Sequence, residues 1–179
     1  MEMRLGRRAA LFPGIGLRGA AAVTVAMFAL HANAAEVAGC APSERGLFTC
    51  STGTKTISIC GSADLTASSG LLQYRFGRPA ALELSYPPAD ANWRKTTRGG
   101  TLMFSGGGGA FLAFTNAPYR YIVYSAAGQG WGSKAGVVVE RGGKRIASFA
   151  CKGKATSELG PDLFSKAGIE LANDGFQLP

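Results

Sequence analysis

In this 179-residue chain, the cysteines are the residues whose number and spacing indicate their chemistry most directly. The four cysteines are Cys40, Cys50, Cys60 and Cys151. An even number of cysteines favours two disulfides in a protein that is exported to an oxidising compartment. A zinc site is the alternative use, but the spacings lack the paired C-x-x-C knuckles of structural zinc sites. We therefore expect two disulfides, for which three pairings are possible.

Strand parity favours one of these pairings. Residues two apart on a strand point to the same face of a sheet. Phe48 therefore shares a face with Cys50 in the run LFTCS, and Phe149 shares a face with Cys151 in the run SFAC. Because both phenylalanines are expected to point inward, the sequence predicts a Cys50–Cys151 disulfide between the first strand and the last.

The same rule leaves the other two cysteines for each other. Ile57 and Ile59 are expected to point inward in the run TISIC, so Cys60 points away from them. This arrangement leaves Cys60 to pair with Cys40. A bond between Cys50 and Cys60 would overturn both assignments.

The N-terminal segment 1–34 has the pattern of a secretory signal peptide. Four arginines precede or border the apolar run 19–30, and Ala-Asn-Ala at 32–34 suits a signal peptidase. The apolar run is shorter than the roughly 20 residues of a bilayer span, and no later stretch is long enough. We expect cleavage to leave one domain, residues 35–179, in the periplasm or outside the cell. A twin-arginine signal at Arg7-Arg8 and a lipoprotein anchored at Cys40 are the alternatives.

The only histidine, His31, belongs to this segment. The mature domain therefore has no imidazole for a Ser-His-Asp triad, a Cys-His pair or a histidine-based metal site. Two carboxylates across a cleft could still act as a glycosidase pair, but no two acidic residues stand out in the sequence. We expect no catalytic residue, no cofactor and no metal, and a carboxylate-based enzyme is the remaining enzymatic alternative.

Net charge limits the class of partner. Segment 1–34 holds four of the 19 Lys and Arg residues and one of the 11 Asp and Glu residues, so 15 and 10 remain and the mature net charge is +5. The positive charges are scattered and form no basic helix, so nucleic acid is not an expected partner. A basic surface of this kind attracts anionic polymers such as those of a cell envelope.

Short apolar or alternating runs, separated by Gly, Pro and Ser residues, recur along the mature chain. Nine of them are predicted strands: 46–51, 54–60, 71–77, 80–86, 100–104, 110–115, 119–125, 135–141 and 144–151. This pattern predicts an all-β fold, an antiparallel sandwich or small barrel of about eight or nine short strands.

Glycine and proline positions predict the connections between these strands. Gly142-Gly143 has the composition of a two-residue hairpin turn, and the glycine run 106–109 is expected to be a flexible turn between strands. The glycine run is not a phosphate loop, because no Lys-Ser/Thr pair and helix follow it. Pro161 and Gly168 predict the start and the end of one short C-terminal helical turn.

Two longer loops each carry one of the two tryptophans. They are 87–99, which holds Trp93 and Arg94, and 126–134, which holds Trp131. Binding residues concentrate on loops, so these three side chains are candidate contact residues, although either tryptophan could instead cap an end of the core.

Clusters of aromatic and basic residues on the strands add further candidates. Tyr74, Arg75 and Arg120 would suit stacking on sugars or holding an anionic group. The alternative is that the aromatic rings belong to the core and that each arginine lies on the solvated face of its strand.

The arrangement of cysteines and aromatic residues has a counterpart in a known group of proteins. The pattern F-x-C-x-T-x-x-K-x-I-x-x-C runs from Phe48 to Cys60, then Y-R-F-G follows at 74–77, Gly143-Lys144 comes later, and Cys151 ends it. This resembles a group of secreted proteins of Gram-negative bacteria, over about residues 40–152. The resemblance implies export and fold, and it brings no activity.

A looser similarity is to the small β-barrel inhibitors of c-type lysozyme. It rests on Ser68-Ser69-Gly70 followed by Tyr74, and on an early cysteine joined to a late one. This chain has two additional cysteines, and its positive charge would slow association with lysozyme, which is itself basic.

The sequence therefore predicts an exported, non-catalytic protein that binds either an envelope protein or an anionic polymer such as peptidoglycan. Inhibition of a secreted hydrolase such as lysozyme is the alternative function.

Overall fold

The computed structural model of the protein describes residues 39–78 and 81–179. The predicted signal peptide, residues 1–34, lies outside the described residues. These ranges contain ten strands, a 3₁₀ helix at Trp93–Lys95 and the α-helix α1 at Pro161–Ala167. The strands are β1 Glu44–Ser51, β2 Thr56–Ser62, β3 Leu72–Arg78, β4 Ala81–Tyr86, β5 Thr97–Phe104, β6 Gly107–Asn116, β7 Tyr119–Gly128, β8 Gly132–Arg141, β9 Lys144–Ala150 and β10 Thr156–Ser157. No helix in the described ranges has the length and hydropathy of a membrane span.

The strands form two antiparallel sheets of five strands each. Sheet A has the order β10-β1-β2-β3-β4, and sheet B has the order β5-β6-β7-β8-β9. Neither sheet closes on itself, so the molecule is a sandwich and not a barrel. The predicted all-β class and the nine predicted strands are confirmed, and β10 adds a tenth strand of only two residues.

The core lies between the sheets and consists of side chains at alternate strand positions. Ile57 and Ile59 of β2 face it from sheet A, and Leu112 and Val123 face it from sheet B; all four are fully buried. Burying one such side chain is worth about 1.5–3 kcal/mol relative to leaving it exposed. The period-2 apolar pattern of the sequence therefore corresponds to the layer that holds the sheets together.

Two disulfides join the pairs of cysteines that strand parity predicts. Cys50 of β1 is bonded to Cys151, which directly follows β9, with a Cα–Cα distance of 5.6 Å. This bond ties sheet A to sheet B. Cys40 is bonded to Cys60 of β2, which fixes the segment before β1 against sheet A. Disulfides of this kind are typical of proteins from oxidising extracytoplasmic compartments.

The glycine-rich segments that we expected to be loops belong largely to strands. The predicted loop 126–134 is a hairpin in which only residues 129–131 lie outside β7 and β8. The glycine run contributes only Gly106 to a turn, and the other three glycines lie in β6. A Cβ atom on Gly107 would stand 2.2 Å from the carbonyl oxygen of Ala127. The prediction was wrong here because backbone pairing, not apolar alternation, defines these strand ends.

Helix α1 lies where the predicted helical turn does. Pro161 occupies its first turn, and Gly168 ends it with a φ of 63°, a left-handed conformation that glycine adopts without strain. Leu163 and Phe164 are buried, so the helix closes the core beside β5.

The segment after α1 crosses the outer face of sheet B, and we call residues 170–179 the C-terminal strap. It starts at the β5 edge, where the N–H of Gly99 donates to Glu170 and the N–H of Ala172 donates to Gly99. The ring of Phe176 then packs 5.4 Å from that of Phe111 and 5.5 Å from that of Tyr124. The strap therefore covers apolar side chains on this face.

Candidate functional site

The structure places Trp93 in the core and Arg94 beside it, where both stabilise a turn. Trp93 is only 2 % exposed, and its indole N–H donates to the carbonyl of Gly70 at 3.0 Å. The Arg94 guanidinium lies 4.2 Å from the centre of the Trp93 ring and donates to the carbonyls of Thr66 and Ser69 at 2.5 and 3.0 Å. Trp93 therefore caps one end of the core, and Arg94 holds the 66–69 turn over it.

Tyr74 is a core residue. It is 1 % exposed, and its ring stacks on Phe114 at 5.7 Å and on Tyr121 at 5.5 Å. Burial, reinforced by the neighbouring Tyr121, raises the pKa of Tyr74 well above its usual range. The expectation that Tyr74 offers an exposed ring is therefore wrong, and the alternative of a core role is correct.

Arg75 is neutralised within the fold. Its guanidinium makes a bidentate ion pair with Glu44 at 2.6 and 2.8 Å, and donates to Gln73 Oε1 and to the Gly39 carbonyl. Burial raises the pKa of Glu44, but hydrogen bonds from Arg75 and from the N–H of Ala41 outweigh it and hold the pKa below its usual value. Four of the five N–H donors of Arg75 are therefore occupied within the fold.

Arg120 anchors the C-terminal strap. It is 2.6 Å from Asp174 of the strap and 3.6 Å from Glu140 of β8. With two carboxylates beside it, Arg120 does not add positive charge to the surface.

Trp131 is the one predicted contact residue whose ring the structure leaves substantially exposed, at 39 %. It lies in the β7–β8 turn, with the Phe104 ring 5.8 Å away in an edge-to-face contact and Lys134 Nζ 5.7 Å from its centroid. The ring rests on the backbone of Gly128, where a Cβ atom would stand 2.3 Å from the indole. Gly128 thus lets the ring lie flat on the hairpin.

The two tryptophan loops do not meet. Trp93 lies just before β5, whereas Trp131 contacts Phe104, the last residue of that strand. Eight residues of strand span about 25 Å at roughly 3.3 Å per residue. Trp93 and Trp131 therefore belong to opposite ends of sheet B.

A groove of about 820 Å³ begins beside the Trp131 hairpin and extends along β9 to the segment 151–159. Its walls are mostly small residues such as glycine, alanine and serine, and its charged side chains are Lys134 and Lys154. No Asp or Glu side chain of the described chain lines it, but Pro179, the last residue of the sequence, does. Lys134 donates to the backbone oxygen of Pro179 at 3.1 Å, and Lys154 forms no ion pair within the described ranges. We call this feature the lysine groove.

Sequence reasoning missed both lysines of this groove, because each is isolated in a stretch of small residues. One signal was present in the sequence. Residues 141–157 contain five Lys and Arg residues and no Asp or Glu. A segment whose charges are all positive produces a positive surface when the fold places it along one edge of a sheet.

A second groove, of about 630 Å³, lies above Trp93 and holds two carboxylates, Asp64 and Asp90. Asp64 accepts a hydrogen bond from the Ser62 hydroxyl at 2.7 Å. Two carboxylates that line one groove are what a carboxylate-based activity requires, so this is the place where such an activity is best tested.

Cys40, Glu44 and Cys60 bring their potential ligand atoms within 4.8 Å of one another. The two sulfurs are joined in a disulfide, which removes the thiolates that zinc binds, and Arg75 occupies the carboxylate. This cluster therefore offers no ready ligand set for a metal.

No protein-family model, curated protein or solved structure matches this chain.

Proposed function

We propose that this is a non-catalytic protein of the periplasm or the extracellular space that binds an anionic partner in the lysine groove. The observation that carries the proposal is the charge of that groove, which contains Lys134 and Lys154 and no Asp or Glu side chain of the described residues, beside the exposed Trp131. The two disulfides and the predicted signal peptide support the location.

The chemistry of the groove suits an anionic ligand in three respects. Its volume of about 820 Å³ is in the range of known ligand sites. Its lysines attract negative charge from a distance and raise the rate of encounter. Trp131 adds a large rigid aromatic surface of the kind that dominates many binding energies. Lys134 lies beside both the ring and the groove, so it links the two parts of the site.

Binding to immobilised anionic probes tests the proposal. The purified oxidised protein is passed over poly-glutamate, a sulfated polysaccharide and peptidoglycan sacculi, each at several salt concentrations. We expect retention on at least one probe, weakening as salt rises, because salt screens exposed charges beyond about 8–10 Å.

Charge reversal within the groove is the decisive variant. Lys134→Glu with Lys154→Glu should weaken binding by at least about tenfold, or about 1.4 kcal/mol. The matched control reverses Lys95 and Lys166, two exposed lysines that do not line the groove, and it changes the net charge by the same amount. Equal losses in both variants would mean that net charge alone attracts the probes, and the proposal would then be wrong.

The two alternatives predict different results. An inhibitor would abolish the activity of a secreted hydrolase at stoichiometric amounts, although a cationic groove is poorly matched to a basic lysozyme. A carboxylate-based enzyme would show turnover that is lost in Asp64→Asn or Asp90→Asn without loss of folding.

A further inference from the structure

The strand β9 is an exposed edge of sheet B. It comes last in the order of that sheet, and all of its side chains are exposed or only partly buried. An edge strand presents backbone N–H and C=O groups that have no partner strand, so it can pair with another extended chain.

The hydrogen-bond pattern shows which β9 groups face outward. The N–H of Cys151 donates to the carbonyl of Ala135 on β8 at 2.9 Å. In an antiparallel ladder the pairing alternates, so Phe149 also bonds to β8, whereas Ser148 and Ala150 direct their N–H and C=O groups away from it. Ser148 and Ala150 both line the lysine groove.

Two properties make this edge accessible to another backbone. Ser148, Ala150 and Gly153 are small, so a second strand can approach closely. The opposite edge of the sheet differs, because the C-terminal strap already pairs with β5 at Gly99. In the described part of sheet B, β9 is therefore the edge whose unpaired backbone N–H and C=O groups lie inside the lysine groove.

Charge is arranged at both ends of this edge. Lys144 is the first residue of β9, and Lys152 and Lys154 follow the strand. None of the three forms an ion pair within the described residues. Ile146, which is 54 % exposed, adds an apolar contact near the first end. Lysines on an edge discourage pairing with a second copy of this basic chain, and they favour a partner that carries acidic residues.

We propose that the partner is an acidic polypeptide segment that docks in extended conformation as an added strand on β9. This inference rests on the proposed function, because it assigns a partner class to the same groove. Backbone hydrogen bonds to Ser148 and Ala150 would supply register, and acidic residues at the two ends of the segment would meet the flanking lysines.

A labelled ten-residue peptide tests the inference. Its sequence, Glu-Glu-Val-Thr-Val-Thr-Val-Thr-Glu-Glu, places acids at both ends of an alternating strand. Binding of the peptide is measured by fluorescence anisotropy, and binding of a sulfated polysaccharide of similar charge is measured for comparison. Ser148→Pro removes one outward N–H and is compatible with an edge position, whereas Ser148→Ala keeps that N–H. We expect the proline variant to lose at least about tenfold in peptide affinity and the alanine variant to change less than about twofold.

A change in the peptide provides a second measurement that leaves the protein intact. N-methylation of alternate residues blocks hydrogen bonding along one edge of the peptide, and methylation of the intervening residues blocks the other edge. One of the two methylated peptides should lose binding while the other retains it. Equal affinity of both methylated peptides, or an unchanged affinity of Ser148→Pro, would overturn strand addition.

The failures of the two proposals are distinguishable. If the polysaccharide binds through Lys134 and Lys154 but the peptide does not, then the proposed function stands and strand addition is wrong. If neither probe depends on these two lysines, then both are wrong.

Discussion

Replacing Cys50 and Cys151 by alanine removes the covalent link between the two sheets. This disulfide joins residues 101 positions apart, and closing a loop of that length is worth about 4.7 kcal/mol at 25 °C by the chain-entropy relation. Cys40 and Cys60 are 20 positions apart, for which the same relation gives about 3.3 kcal/mol. We therefore expect the inter-sheet disulfide to contribute more to the free energy of unfolding than the local one.

Urea unfolding of the two double-alanine variants measures this difference. Fluorescence is a suitable signal because Trp93 is buried in the core and becomes exposed on unfolding. With a slope of about 2 kcal/mol per molar urea, the midpoint should fall by about 2.4 M for the Cys50/Cys151 variant and by about 1.6 M for the Cys40/Cys60 variant. Each variant loses two cysteines and retains one disulfide, so each serves as the control for the other.

The order of the two midpoints decides the outcome. Equal shifts of the urea midpoint in the two variants, or a larger shift in the Cys40/Cys60 variant, would refute the reasoning. In that case loop length and the connection between sheets would not set the contribution of each disulfide to the free energy of unfolding. A change in slope would indicate that the unfolded state of one variant is less compact, and the free energies would then be compared with the measured slopes.

Three further perturbations follow from the fold and the site. Arg75→Ala should cost about 2–3 kcal/mol at pH 7, because it leaves the carboxylate of Glu44 without its partner. The pKa of Glu44 in the folded protein is held below its usual value of 4.5, so this ion pair contributes its full stability above pH 4.5 and loses it as the pH falls through the lower folded pKa. The urea midpoints of the wild-type protein and of Arg75→Ala should therefore converge in acid. A constant difference between the two midpoints at every pH would contradict the assignment. Gly128→Ala should displace the Trp131 ring, shift its fluorescence and weaken binding of an anionic probe, whereas unchanged fluorescence would show that the ring does not rest on this glycine. Phe176→Ala should cost about 2 kcal/mol and speed amide exchange in the C-terminal strap, and unaltered exchange would argue against packing of the strap on sheet B.

Local pattern was sufficient to predict the strands whose side chains build the core. In β2 the apolar Ile57 and Ile59 alternate with Ser58, whereas β7 carries the continuous apolar run 121–124 because both of its faces are covered. The predicted boundaries of both strands lie within a few residues of those observed. The strand ends rich in glycine carried no such alternation. Gly107 and Gly128 are paired by backbone hydrogen bonds alone, so the hairpin that presents Trp131 was predicted as a long loop.

The candidate site was predicted only in part, for a related reason. Aromatic rings next to arginines suggested contact surfaces, but burial decides the role of such a ring, and burial depends on the opposite sheet. Tyr74 lies in the core because Phe114 and Tyr121 cover it, although the three residues are far apart in the sequence. The lysine groove was missed because Lys134 and Lys154 come together only where the chain passes from β9 toward sheet A.

By itself the sequence determined the all-β class, the absence of histidine from residues 35–179 and the pairing of the four cysteines, because composition and period-2 parity are local properties. The tertiary structure decided which charges are available to a partner. Arg75 and Arg120 are neutralised by Glu44 and Asp174, whereas no Asp or Glu among the described residues lines the groove that contains Lys154. Coulomb interactions depend on distance in space, and only the packed sandwich fixes those distances.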